Sequence, residues 1–199
     1  MEKKGLSVNT VLGLDIGCAL LAWNFMPMNI VQTHHGRVAP TMVGFKRARP
    51  DSICVGITGD GGAYAIGLQN LLHAAKRDEA VMILVINNTV YAMTGGQTAP
   101  TTLCGQKTDT HPEGYEEQPM QGPELLKNIV QHGAFLARAA VNDPKNLMAY
   151  LEKAVEAQQA GHFALVEVLS FCPTNWKTKG QATLNYLEGL KKHFFVGEK

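Results

Sequence analysis

Apolar stretches rich in β-branched residues recur along the chain at 10–16, 29–33, 53–58, 81–86, 134–141 and 163–169. The stretch 81–86 holds no polar residue, which predicts a strand covered on both faces. Between the stretches the period changes. Leu147, Tyr150, Leu151, Ala154 and Val155 fall at i, i+3, i+4, i+7 and i+8 and predict a helix over 144–160. Asp143 caps its start, Pro144 suits its first turn and Gly161 follows its end. A second helical run covers 63–76. Strands alternating with helices predict an α/β fold: a doubly wound, mostly parallel sheet with helices on both faces, as a single domain over 1–199. The segment 91–122 breaks this rhythm. It is rich in Thr, Gly, Gln and Pro without apolar periodicity, and a loop of that length in a compact domain is functional or disordered.

Doubly wound sheets place ligands at the carboxyl ends of their strands. Gly59-Asp60-Gly61-Gly62 stands there after 53–58, and Asn87-Asn88 after 81–86. A carboxylate and a carboxamide at neighbouring strand ends can converge on one hard cation. A Gly-rich turn entering a helix offers N–H groups and a positive dipole end to phosphate. The expected ligands of Mg²⁺ are the Asp60 carboxylate, the Asn88 side-chain oxygen and the Val90 backbone carbonyl, with diphosphate and water completing an octahedron. Gly61 and Gly62 would keep the backbone open to the anion. Gly-Asp-Gly alone is also a common turn, and Asn87 can be a turn residue bonding its own backbone.

His34-His35-Gly36-Arg37 follows a short strand, which brings the His35 imidazole and the Arg37 guanidinium to the same edge as candidates for catalysis or for an anionic ligand. A solvated loop is the alternative. Asp15-Ile16-Gly17-Cys18 ends the first stretch and Cys172-Pro173-Thr174-Asn175 the last. Cys18 and Cys172 could share a metal, but two thiolates fall short of the four that a [4Fe–4S] cluster needs, and no C-x-x-C occurs; inert buried thiols are the alternative. His73, His111, His132, His162 and His193 show no metal spacing.

A net charge of +1 with 18% charged residues gives no support to nucleic acid or an acidic membrane surface as partner. No apolar span is long enough for a membrane helix, no secretory signal is visible and the cysteines show no disulfide pattern, so a cytoplasmic location is expected.

The motifs DIGC (15–18), THHGR (33–37), GDGG (59–62), NNTVYAMTGGQTAPTT (87–102) and CPTNW (172–176) together resemble the β subunit of 2-oxoacid:ferredoxin oxidoreductases, the thiamine-diphosphate family acting on pyruvate, 2-oxoglutarate or branched 2-oxoacids. The resemblance implies the thiamine-diphosphate-binding fold and oxidative decarboxylation of a 2-oxoacid to an acyl-CoA and CO₂, with electrons passing to ferredoxin. It implies cofactor contacts at Ile16, Gly17, Cys18, Ala19, His35, Gly59, Ala92 and Met93, and a cover over the substrate from 94–102. An α subunit, with or without γ and δ subunits, would supply the glutamate that activates the cofactor. The chain alone is then expected to be inactive and to expose an apolar contact surface. Family members begin with a C-P-G-C type segment whose thiolates, with the counterparts of Cys18 and Cys172, hold a [4Fe–4S] cluster. That segment is not in this sequence, so the set is incomplete. Arg37 and Lys107 are candidates for a 2-oxoglutarate carboxylate. The alternatives are the β subunit of a non-oxidative decarboxylase of the sulfopyruvate type and a non-catalytic assembly subunit.

Overall fold

The structure is a computed structural model and describes residues 7–199. Its strands are β1 (Thr10–Leu14), β2 (Asn29–Gln32), β3 (Ile53–Gly59), β4 (Met82–Asn87), β5 (Val90–Tyr91), β6 (Gln97–Thr98), β7 (Phe135–Ala140), β8 (Ala164–Leu169) and β9 (Gly197–Glu198). Seven of them form one sheet in the order β2-β1-β3-β4-β8-β7-β9, while β5 and β6 pair as a separate antiparallel ribbon. All pairings in the large sheet are parallel except that of β9 with β7.

Helices cover both faces. On one, α1 (Val38–Ala48), α2 (Leu68–Lys76) and α3 (Gly122–Lys127) bury Val38, Met42, Leu71, Ala75 and Leu126 against Ile83, Val85 and Leu165. On the other, α4 (Pro144–Gln159) buries Ala154 and Val155 against Val55, Met82 and Val166. Two further helices, α5 (Pro173–Trp176) and α6 (Gln181–His193), follow β8; α6 packs Leu187 and Leu190 with Phe194 on Ala140 and Leu169. The side chain of Asp143 accepts the Asn146 N–H at 3.2 Å and caps α4, and Gly161 just beyond it takes φ +96°. No helix among the described residues is long and apolar enough to cross a membrane.

One expectation changes, and another is narrowed. The helical run over 63–76 is not one helix: Gly62–Ile66 winds as a π-helical turn, Gly67 interrupts it and α2 begins only at Leu68. The segment 91–122 takes the ordered branch of its expectation, held by backbone hydrogen bonds such as the Gly105 N–H to the Tyr115 carbonyl at 2.7 Å and by hydroxyls, with few buried apolar residues. Thr98 Oγ1 lies 2.6 Å from Thr108 Oγ1 and 2.7 Å from His111 Nδ1, while Thr102 Oγ1 donates to the Thr89 carbonyl at 2.7 Å.

Candidate functional site

From β1 the chain steps to β2 on one side and then to β3 on the other, so β1 and β3 bracket a point where the winding reverses. A cavity of about 370 Å³ opens at their carboxyl ends, where such sheets hold ligands. Ile16, Gly17, Cys18, Ala19, His35, Gly59, Asp60, Gly61, Gly62, Asn88, Val90, Ala92 and Met93 all line it, joined by Ile86, Tyr91 and Thr94.

The floor is fixed by Asp15, which is fully buried. Its Oδ1 accepts the N–H of Ile16 and of Gly36, each at 2.9 Å, and its Oδ2 accepts the Thr58 hydroxyl at 2.6 Å. One carboxylate thus ties the end of β1 to the THHGR loop and to β3. His35 Nδ1 donates to the Ile16 carbonyl at 3.0 Å, since a carbonyl can only accept, and lies 3.7 Å from the Asp15 carboxylate. The two glycines of the turn also have a steric reason. A Cβ on Gly61 would strike the Tyr91 ring, and one on Gly62 would strike the Asp15 carboxylate and the Thr58 hydroxyl. The turn is bare first to admit these side chains.

Asp60 is 3% exposed. It accepts the Thr101 hydroxyl, and among the described residues no ion pair to it occurs. Burial pushes its carboxyl up to about 7, against the hydrogen bonds from Thr101 and the Gly61 N–H, with the charge of Glu167 adding to the rise. A buried carboxylate beside a carboxamide and a glycine turn is a donor set that suits a hard divalent cation and an anion together. The pH dependence follows from the sign. Because the folded value lies above the ordinary 3.8, the folded chain holds a proton that the unfolded chain has lost. This stabilisation is complete below about pH 4 and is lost as pH rises through about 7. Without a cation, the melting temperature contributed by this group should fall between about pH 5 and about pH 8, and Asp60→Asn should flatten the fall. Thermal melts in metal-free buffer check this.

The second half of the site is the turn after β4. Asn87 Oδ1 accepts the Thr89 N–H at 3.1 Å, and Asn88 Oδ1 accepts the Val90 N–H at 3.3 Å. Thr89 stands at φ +60°, where a β-branched residue is strained. The CPTNW motif braces this turn: Trp176 Nε1 donates to the Asn88 carbonyl at 2.9 Å and Asn175 Nδ2 to the Ala92 carbonyl at 3.4 Å. Trp176 also stacks on Tyr186, whose hydroxyl lies 2.8 Å from Thr89 Oγ1. Burial pushes that phenol up to about 12.

Arg37 does not join the site. It is exposed, and its guanidinium donates to the carbonyls of Gly36 at 3.2 Å and Ile66 at 3.0 Å, bracing its loop against the π-helical turn. Lys107 is exposed and outside the cavity. Cys18 is exposed at the cavity and Cys172 half-buried, its sulfur accepting the Asn175 N–H at 3.4 Å. Partial burial first, then the nearby Cys172, raises the Cys18 thiol. Among the described residues, no three His, Cys, Asp or Glu side chains gather as a metal site. Asp15, Thr58, Tyr91 and Thr101 were not singled out from the sequence, although each stands in or beside a quoted motif.

This site, on this fold, is that of a thiamine-diphosphate-binding domain. A family model described as "Thiamine pyrophosphate enzyme, C-terminal TPP binding domain" matches residues 15–168, and the chain belongs to that family. Among its relatives, ketoisovalerate oxidoreductase subunit VorA of Methanothermobacter thermautotrophicus is 38% identical over 98% of this chain and 43% of its own length. 2-Oxoglutarate synthase subunit KorB of Archaeoglobus fulgidus is 38% identical over 90% of this chain and 65% of its own. The solved 2-oxoglutarate:ferredoxin oxidoreductase from Magnetococcus marinus, with 2-oxoglutarate, coenzyme A and succinyl-CoA bound, superposes with a TM-score of 0.80 at 27% identity, over 92% of this chain and 60% of that one. The chain thus spans between about two fifths and two thirds of these relatives.

Proposed function

We propose that the chain is the β-type, thiamine-diphosphate-binding subunit of a 2-oxoacid:ferredoxin oxidoreductase, its described residues acting as one cofactor-binding domain. The observation that carries this is the buried Asp60 sharing one cavity with Asn88 and the Gly59–Gly62 turn. Asp60, Asn88 and the Val90 carbonyl would hold Mg²⁺ and through it the diphosphate. Ile16, Gly17, Cys18, Ala19, Ala92 and Met93 would form the walls beside the cofactor. When bound, thiamine diphosphate supplies the electron sink that lets a 2-oxoacid lose CO₂. His35, held by its Nδ1 bond to the Ile16 carbonyl, would stand in the cavity wall as the residue that meets the reacting groups. Thr101 and Gly61 hold the Asp60 carboxylate in place.

The remaining parts of the enzyme lie with partners: an α subunit supplying the activating glutamate, ferredoxin to take electrons and CoA to take the acyl group. Beside the cavity, the 3₁₀ segment Cys18–Phe25 buries none of its residues and leaves Leu21 68% and Phe25 82% exposed, which supports a partner surface there. A [4Fe–4S] cluster at Cys18 and Cys172 would need two further thiolates. The deciding experiment is a joint assay of thiamine diphosphate, Mg²⁺, iron and acid-labile sulfide in the complex captured through this chain from its source. All four together are expected. Thiamine diphosphate and Mg²⁺ without iron would instead assign a non-oxidative decarboxylase. Absence of the cofactor would leave an assembly subunit.

A further inference from the structure

Two charged side chains lie in the middle of the sheet. Arg138 of β7 and Glu167 of β8 are register partners, and both are fully buried. An apolar pair of similar volume would serve the core at least as well, so the ions call for a use. The hydrogen bonds name one. Glu167 Oε2 takes the Arg138 Nε–H, and its Oε1 accepts Asn87 Nδ2 at 3.0 Å. With its NH₂ end committed to Glu167, Asn87 must present its oxygen to the Thr89 N–H. That bond closes the turn in which Thr89 takes its left-handed φ, a conformation Thr does not adopt by preference. Asn88 stands between the two residues so held. Arg138 is fixed in turn, its two Nη groups each 2.7 Å from an oxygen of Glu124. Neither Arg138 nor Glu167 lines the cavity.

We infer that Glu167, held by Arg138, is a positioning residue for the cation site: through Asn87 it locks the turn at Thr89 and so aims the Asn88 carboxamide. The inference rests on the proposal that Asp60 and Asn88 hold Mg²⁺ with diphosphate. Only a carboxylate fits between Arg138 and Asn87, because both neighbours are donors. A glutamine there must turn its NH₂ toward one of them.

The test is equilibrium dialysis of thiamine diphosphate against increasing Mg²⁺, with the full chain assembled with its partner subunits. Asn87→Ala and Glu167→Gln should each raise the Mg²⁺ concentration at half-saturation, by about 10- to 100-fold for Asn87→Ala, as loss of the outer partners of metal ligands does. Cofactor capacity at saturating Mg²⁺ should be kept. A lowered melting temperature with an unmoved Mg²⁺ midpoint in either variant would make the network purely structural and overturn the inference. If Asn87→Ala does not assemble, the near-isosteric Glu167→Gln decides alone by the same midpoint. Failure of the underlying proposal is told apart in the unaltered complex, which would then bind thiamine diphosphate without Mg²⁺ or not at all.

Discussion

Asp60→Ala is expected to abolish retention of thiamine diphosphate and Mg²⁺ while leaving the cofactor-free protein at least as stable near pH 8. The two effects share a cause. At that pH the buried carboxylate is ionised without a cation, and its rise from 3.8 to about 7 marks a cost on the order of 4 kcal/mol, at about 1.4 kcal/mol per unit. Alanine removes that cost and forfeits the hydrogen bonds from Thr101 and the Gly61 N–H, each with a net worth of about 1 kcal/mol. Below about pH 4, where Asp60 is protonated in the folded and the unfolded chain alike, the relief should vanish and the variant should be the less stable protein. Melting curves at both pH values, together with dialysis against the cofactor, check all three outcomes. A variant that binds the cofactor undiminished removes Asp60 from the cation site. Stability given up for function is a usual bargain at such positions.

Arg138→Ala is expected to cost about 3–5 kcal/mol of stability, because it leaves the Glu167 carboxyl fully buried without the guanidinium that offsets its burial. It also strands Glu124, which keeps only Lys199 at 2.8 Å, and removes the guanidinium from over the Phe194 ring at 5.3 Å. The double variant Arg138→Met with Glu167→Leu should be milder than the single one, since no unpaired charge then remains in the sheet. Denaturant titrations of the three proteins measure the difference. A single variant costing under about 1 kcal/mol would show that the pair does not behave as a buried ion pair.

The apolar runs and the capped helix α4 were legible in the sequence because hydrophobic period and capping chemistry are local. So was the gathering of GDGG and the Asn pair, since a parallel sheet brings consecutive strand ends to one edge. What stayed hidden depends on contacts between distant residues. Thr101 reaches Asp60 across a segment with no apolar period to place it. Asp15 looks like a ligand, yet both its oxygens are spent on protein donors. Arg138 and Glu167 sit inside runs read as apolar strands, where one charge among hydrophobic neighbours does not disturb the pattern. Arg37 lies in the right loop but turns to the carbonyl of Ile66, a choice set by the π-helical turn that the sequence does not announce.

The segment 91–122 and the sheet answer to different thermodynamics. The sheet is held by apolar burial, whose loss raises heat capacity and bends its stability curve. The segment 91–122 is held by backbone hydrogen bonds and threonine hydroxyls, with Ala99 and Leu103 as its few buried apolar anchors. Opening it exposes little hydrocarbon, so its equilibrium follows an almost straight van 't Hoff line, governed by hydrogen-bond enthalpy. Amide exchange measured over a range of temperatures should then give a straight line for 91–122 and a curved one, with an optimum, for the sheet.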